Sequence, residues 1–268
     1  MSGRLKYSLL VVVPTLNSYS LLPCLLSSLQ KQSWPHWRLL FIDGPSCAEH
    51  RLWLQQCCSV EPRCSWISQN PSQPGIFGAM NQGFAESEPH EWLLFWGSDD
   101  WAPDTSVLSS LFAALERSVS YGTIPDLLIC KGRYVVSGSG ALSRVTEFHP
   151  ACTLSSDAYR RALWLGSTPP HQATLFGPGA RRVLNYYASG FRLSADLDYF
   201  LQLSTYPGLR VQCLDLEIVH MSDAGVSAQQ TKRRLHEVAY AYRRTFGWSW
   251  WFSFVARYIR RVVSFFGR

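Results

Sequence analysis

Trp92-Leu93-Leu94-Phe95-Trp96-Gly97-Ser98-Asp99-Asp100 is the stretch that decides the fold. Five apolar residues run without a polar break and end on two adjacent carboxylates. An apolar run of this length, closed by a turn signal, reads as a strand buried on both faces. Carboxylates side by side at the end of such a strand repel each other and lose water. That is costly unless a cation or base compensates them. Hard carboxylate oxygens suit magnesium or manganese, which keep phosphate oxygens and water as their other ligands. A plain turn, with Asp99 or Asp100 capping the next helix, reads the same residues equally well, and Asp104 before Thr105 serves as such a cap too.

Outward from this stretch, strand and helix alternate. Leu9–Val13 is a second buried strand, stopped at Pro14, and Leu22, Leu25, Leu26 and Leu29 follow at helical spacing. Leu39–Ile42 is a strand ended by Asp43-Gly44-Pro45. A helix over about Glu49–Cys58, a strand Ser65–Ser68 and a helix Ile76–Ala85 lead into Trp92. A helix Thr105–Arg117 follows the acids. Such alternation predicts an α/β fold whose mostly parallel sheet is flanked by helices. Ligands of such sheets bind at the carboxyl ends of the strands, where Thr15, Asn17, Asp43, Asp99 and Asp100 fall. The second half is less regular: strands Leu127–Cys130 and Arg133–Val136 split by Gly132, a strand Ala173–Phe176, a helix Asp196–Leu203 and a strand Val211–Leu214.

Composition fits a globular protein: 268 residues, 47% hydrophobic, 16% charged and 14% aromatic. That is enough chain for a sizeable core and too apolar for disorder. The net charge of +6 sits in the tail, where residues 232–268 carry nine Lys and Arg against Glu237 alone. None of the eight Cys falls at zinc-site spacing, and Cys57-Cys58 is not C-x-x-C, so reduced thiols are expected. Leu9–Val13 is too short for a signal sequence, and no uncharged run reaches the ~20 residues of a spanning helix. These features place the chain in the cytoplasm or on the cytoplasmic face of the inner membrane.

Taken in order, Val12-Val13-Pro14-Thr15-Leu16-Asn17, Phe41-Ile42-Asp43-Gly44-Pro45-Ser46, Gly75-Ile76-Phe77-Gly78-Ala79-Met80-Asn81-Gln82-Gly83, Gly97-Ser98-Asp99-Asp100 and Ala195-Asp196-Leu197-Asp198 resemble family-2 glycosyltransferases. The likeness is to the short bacterial branch that decorates exopolysaccharide or lipopolysaccharide, and it covers roughly residues 8–227. It implies the GT-A fold, with a nucleotide-sugar half (about 1–104) and an acceptor half (105–230), followed by a C-terminal segment (231–268). Pro14, Thr15 and Asn17 match the loop that holds base and ribose, and Asp43 matches the acid that contacts the nucleoside. Gly75 allows close backbone approach to the donor, and Asn81 lies on the helix after it. Asp99 matches the metal ligand of the family's acidic triplet, with Asp100 beside it.

Asp196 matches the catalytic base; a helix N-terminal acid favoured by the dipole is the plainer reading, which Asp198 also satisfies. His220 stands as a further metal ligand or as a loop histidine with a hydrogen bond. His171, held by Pro169-Pro170, is either an acceptor or phosphate contact or structural. Trp96 and Trp101 flank the acids, Trp96 as core. Trp34 and Trp37 are expected between the first helix and second strand, and Arg181-Arg182 on a solvated helix face. The sequence departs from the family's pattern at Gly97 and Gly78, where acids are common, and at Ala195, where Glu is usual.

The mechanism implied is inverting transfer of a sugar from a nucleotide-diphosphate sugar to a hydroxyl of a saccharide or lipid-linked acceptor, with one Mn2+ or Mg2+. A catalytically silent scaffolding relative is the alternative that Gly97 keeps open. On a helical wheel, Trp248, Trp251, Phe252, Val255, Ile259, Val262, Val263 and Phe266 share one side, with Ser253, Arg257, Arg260, Arg261 and Ser264 opposite. A basic, aromatic amphipathic helix of this kind suits a membrane surface, or else packs on the catalytic domain. Nucleic acid is not expected, since the basic residues are mixed with bulky apolar groups and no binding module is present.

Overall fold

Strand β1 (Leu9–Thr15) is the axis of a parallel quartet: β2 (Trp37–Asp43) and β4 (Trp92–Phe95) flank it, and β3 (Cys64–Ser68) lies beyond β2. In this computed structural model, residues 7–120, 124–223 and 231–266 are described. The unbroken apolar runs have a simple cause. Leu10, Val12, Leu93 and Phe95 feed one core, and Leu9, Val11, Val13, Trp92 and Leu94 feed a second on the opposite face. Helices α1 (Leu22–Gln30) and α4 (Val107–Ser120) cover that second face, and α3 (Ile76–Glu86) covers the first. Helix α2 (Ala48–Val60) connects β2 to β3. Register places Thr15 opposite Asp43, so the two loops that follow open side by side.

The sheet turns mixed beyond β4. Strand β9 (Thr174–Phe176) runs antiparallel between β4 and β6 (Leu127–Val135). Strand β10 (Val211–Ser222) is parallel to β6 and carries antiparallel β5 (Asp100–Trp101) on its other side. The full order is β3-β2-β1-β4-β9-β6-β10-β5. The short β5 matters for function, because it pulls the paired acids onto the far end of the sheet. Gly132 does not split β6. A Cβ there would lie 2.9 Å from Met221 Cε and 3.0 Å from Thr146 Oγ1, so glycine admits its neighbours' side chains without ending the strand.

Other expectations need correction. Helix α4 starts at Val107 rather than Thr105, because the Asp104 carboxylate accepts from Ser106 N at 2.7 Å and forms the turn before it. Trp34 stacks on Phe112 of α4 at 3.8 Å instead of packing between α1 and β2. Arg181 is buried and donates to carbonyls of Glu88, Pro89 and Glu91; only Arg182 is exposed. Strands β7 (Leu142–Thr146) and β8 (Cys152–Leu154) and helix α5 (Ser156–Trp164) went unread in the sequence, and the helix read at Arg181-Arg182 is α6 (Pro178–Val183). All eight cysteines are free thiols.

Helix α7 (Ala195–Leu203) packs against α8 (Thr231–Phe246), which is followed by α9 (Trp250–Phe266). Helix α9 docks by the side the wheel makes polar. Ser253 is fully buried, Trp250, Phe254 and Tyr258 pack on the core, and Arg257 donates to Thr168 Oγ1. Phe252 leaves the outer stripe and stacks on Trp164 at 4.2 Å. Trp248, Trp251, Val255, Ile259 and Val262 remain exposed. No helix among the described residues is long and apolar enough to cross a membrane. Gly225–Ser227 and Arg268, and the side chains of Arg261, Val263, Ser264, Phe265 and Phe266, lie outside the described residues.

Candidate active site

The loops after β1 and β2 are braced on one buried acid. Asp43 Oδ1 accepts from Ser46 Oγ at 2.6 Å and Thr15 Oγ1 at 3.2 Å. His50 Nε2 stands 3.1 Å from the same oxygen, and Arg51 Nε reaches Oδ2 at 3.3 Å. The carboxylate is fully shielded from solvent, and burial pushes His50 towards its neutral form against the pull of Asp43. Asp43, expected at the nucleoside, is engaged by these neighbours. Asn17 is exposed in this loop and holds a left-handed φ of 51°. That conformation suits asparagine, whose side chain bonds locally. Asn17 N donates to Ser46 Oγ at 3.0 Å, and Asn17 Oδ1 accepts from Cys47 N at 2.8 Å. Ser18 donates to Ser98 Oγ, which donates to the Pro14 carbonyl, so this loop is tied to the acidic one.

Asp99 and Asp100 are treated differently. Asp100 is buried and its Oδ2 accepts from Gly97 N at 2.6 Å, while Asp99 is half-buried. Burial raises the proton affinity of both, that of Asp100 well above its usual range, with Asp99 adding to the effect. No described residue makes an ion pair with either acid. A divalent cation fits this donor set, since it supplies the charge that two desolvated carboxylates lack. Gly97 has a steric reason. A Cβ there would lie 2.9 Å from Asp99 Oδ1 and 3.3 Å from Asp100 Oδ2, so glycine leaves both carboxylates room at the strand end. Gly78 is similarly forced, because its Cβ would sit 1.9 Å from the Gln73 carbonyl oxygen.

His220 does not join the acids. It pairs across from Trp101, but its Nε2 lies 2.7 Å from Glu217 Oε1, and Arg133 bonds the same carboxylate. Irregular register between Glu217 and Val219 turns Glu217 onto the side of His220. Among the described residues no three His, Cys, Asp or Glu side chains converge as a metal-ligand set.

A cleft of about 380 Å3 opens before Asp99 and Asp100, with Tyr134, Arg144, Gln172 and Arg234 on its second-half wall. Arg144 lies over the Tyr134 ring at 4.8 Å. The sequence reading missed these four. Strand β7 is too exposed to be read as a strand, and Arg234 looked like one charge in a basic tail. Asp196 occupies the first turn of α7, half-buried, and does not line this cleft directly. Asp198 is the structural acid of the pair, buried and 2.7 Å from Arg244 Nη1. Burial raises its proton affinity and Arg244 opposes the rise.

His171, expected as an acceptor or phosphate contact or as structural, is buried, and its Nε2 lies 2.7 Å from Tyr187 Oη. Asn81 is committed as well, donating to the Tyr187 carbonyl at 3.1 Å and accepting from Tyr187 N at 2.6 Å. Gly75 keeps a φ of 90° and is exposed at the start of α3.

A sheet parallel through its first half, paired acids at a strand end and a cleft facing a second, mixed half are the architecture of a GT-A glycosyltransferase. The chain belongs to glycosyl transferase family 2, whose sequence profile matches residues 10–147. A PGL/p-HBAD biosynthesis glycosyltransferase of Mycobacterium bovis and of Mycobacterium tuberculosis is 23% identical over 216 residues, covering 80% of this chain and 77% of the relative. Among solved structures, S. aureus TarS 1-349 in complex with UDP-GlcNAc matches with a TM-score of 0.67 at 18% identity, over 96% of this chain and 73% of that one. The mannosyltransferase PcManGT from Pyrobaculum calidifontis, in complex with GDP-Man and Mn2+, matches with a TM-score of 0.59 at 11% identity, over 88% and 63%. At these identities the solved structures speak for the fold.

Proposed function

We propose that this glycosyltransferase inverts the anomeric centre as it moves a sugar from a nucleotide-diphosphate sugar to an acceptor hydroxyl, with a divalent metal held at Asp99. The observation that carries the reading is the pair of desolvated, uncompensated carboxylates at the mouth of the cleft. Bound there, Mn2+ or Mg2+ offsets negative charge on the leaving nucleoside diphosphate. Asp100 supports Asp99 through the Gly97 N–H. Asn17, Pro14 and the backbone around Gly75 face the nucleoside, and Asp43 holds their loops. Asp196 takes the proton from the attacking hydroxyl, and a single base with direct displacement gives inversion. Residues 1–104 serve the donor and residues 105–230 the acceptor. The silent-scaffold reading loses its ground, because Gly97 accommodates the acids instead of replacing one.

The exposed stripe Trp248, Trp251, Val255, Ile259 and Val262, beside exposed Arg260, suits the headgroup layer of an anionic membrane. That placement on the cytoplasmic face, and the mycobacterial relatives' role in PGL/p-HBAD biosynthesis, both favour a glycolipid or lipid-linked acceptor in cell-surface synthesis.

The test is thermal stability against UDP, GDP, CDP and dTDP, each with and without Mn2+. A ligand that binds only the folded state raises the midpoint. One nucleotide should stabilise strongly, only with metal, and Asp99→Asn should remove the effect. Metal-independent stabilisation, or none, sinks the metal assignment. Flotation with anionic vesicles tests the tail: binding should vanish in Trp251→Glu/Ile259→Glu, and wild-type protein that fails to float rules the membrane out.

A further inference from the structure

Helix α8 grips the start of α7 from outside. Glu237 of α8 is buried, and its carboxylate accepts from three successive backbone N–H groups: Arg192 at 3.0 Å, Leu193 at 2.8 Å and Ser194 at 3.0 Å. Arg233 Nε, one turn earlier in α8, donates to the same carboxylate at 3.0 Å. Burial pushes the proton affinity of Glu237 up, but the N–H of Leu193, the Arg233 guanidinium and the N–H groups of Arg192 and Ser194 outweigh it, so the group stays charged. Two turns further along α8, Arg244 holds Asp198 at 2.7 Å, and Thr245 Oγ1 accepts from Gln202 Nε2 at 3.0 Å.

These contacts bracket Asp196. Ser194 is the cap residue of α7, and its side chain makes no capping bond. Its N–H goes to Glu237 instead, and its carbonyl accepts from Asp198 N at 3.2 Å. Asp196 stands midway between Ser194 and Asp198. The backbone that carries it is therefore held on one side by a carboxylate and on the other by a guanidinium, both from α8. Successive backbone N–H groups turned to one point form an anion-binding nest, and a charged acceptor binds there more strongly than a neutral one. Loop N–H groups need acceptors, but water or a neutral oxygen would serve that need alone.

We infer that Glu237 is a positioning residue for the transfer: by drawing in the N–H groups of Arg192, Leu193 and Ser194 it fixes the first turn of α7, and with it the place of the Asp196 carboxylate. The inference rests on Asp196 being the base. It gives the single acid of the basic tail a task. It also joins α8 to the acceptor half, since the same helix sets Arg234 on the cleft wall.

The experiment pairs kinetics with a readout of local order. Nucleotide release from UDP-GlcNAc and GDP-mannose with Mn2+, water standing in for the acceptor, is followed for wild type, Asp196→Asn, Glu237→Gln and Glu237→Ala. Glu237→Gln keeps the shape of the side chain but removes its charge and one of its two acceptor oxygens. It should lower kcat about 10-fold, and Glu237→Ala about 100-fold, as expected of a displaced reacting group. KM for the sugar nucleotide should stay within about twofold. Added to Asp196→Asn, Glu237→Gln should cost nothing further.

If Asp196→Asn releases nucleotide at the wild-type rate, the base assignment fails and this inference with it. If Asp196→Asn is inactive while Glu237→Gln and Glu237→Ala keep wild-type kcat, this inference alone fails. Independently of turnover, amide hydrogen exchange in Glu237→Gln should speed up about 10-fold or more over residues 192–199, with wild-type exchange in β1, β2 and β4. Wild-type exchange over residues 192–199, or protection lost through the whole molecule, overturns the inference. That readout holds even if release is too slow to measure or Glu237→Ala does not fold.

Discussion

Acids stand at the ends of β2 and β4, the two strands that flank β1, and the chain treats them in opposite ways. Asp43 is surrounded by Ser46, Thr15, His50 and Arg51, so its charge is answered from within the protein. Asp99 and Asp100 have a backbone N–H at Gly97 and no ion pair with a described residue. A buried carboxylate that the fold satisfies serves the scaffold; one that it leaves unsatisfied at the mouth of a cleft waits for a ligand. The same contrast recurs within one helix turn of α7. Asp198 is buried against Arg244, while Asp196 is only half-buried.

The comparison breaks first if its ends can be exchanged. Asp99→Asn should lower transfer or donor hydrolysis by about 100- to 1000-fold, the range seen when one charge-stabilising group is lost. Its thermal midpoint without metal should not fall. Asp43→Ala should do the reverse in denaturant unfolding, costing about 3 kcal/mol because Arg51 and the hydroxyl donors lose their shared anion. A metal-dependent nucleotide shift that survives in the folded fraction would confirm its structural role, and wild-type stability would refute it.

The pH dependence of the metal-free protein sharpens the contrast further. The folded pKa values of Asp99 and Asp100 lie above their ordinary 3.8. Both acids therefore favour the folded state below about pH 4, and that contribution is lost as pH rises through the raised values. Between pH 4 and 7 the wild type should lose about 1 kcal/mol or more relative to Asp99→Asn/Asp100→Asn. Adding Mn2+ should cancel the difference; parallel stability profiles would show that the acids are not desolvated. The smallest effect belongs to Gly97→Ala, whose methyl would push Asp99 Oδ1 from its position. It should weaken metal-dependent nucleotide binding by about 1 kcal/mol, readable by titration calorimetry.

How legible each region was follows from how it is buried. Strands β1, β2 and β4 lie between two helical layers, so their apolar runs announce them and place Asp43, Asp99 and Asp100 at their ends. Strand β7 is exposed along much of its length and β8 has three residues, so neither leaves a pattern to read. The tail shows the same limit: its stripe is visible on a wheel, but only packing shows that Ser253 and Phe252 face inward.

By itself the sequence determined the α/β class, the family resemblance and the acids at the strand ends, because those follow from local hydrophobicity and short motifs. The tertiary structure decided which acids are satisfied. It turned His220 to Glu217, gave Asp43 its own partners, and joined Asn81 to Tyr187 across 106 residues. Hydrogen bonds and ion pairs are local in space but not along the chain, so their bookkeeping exists only after folding.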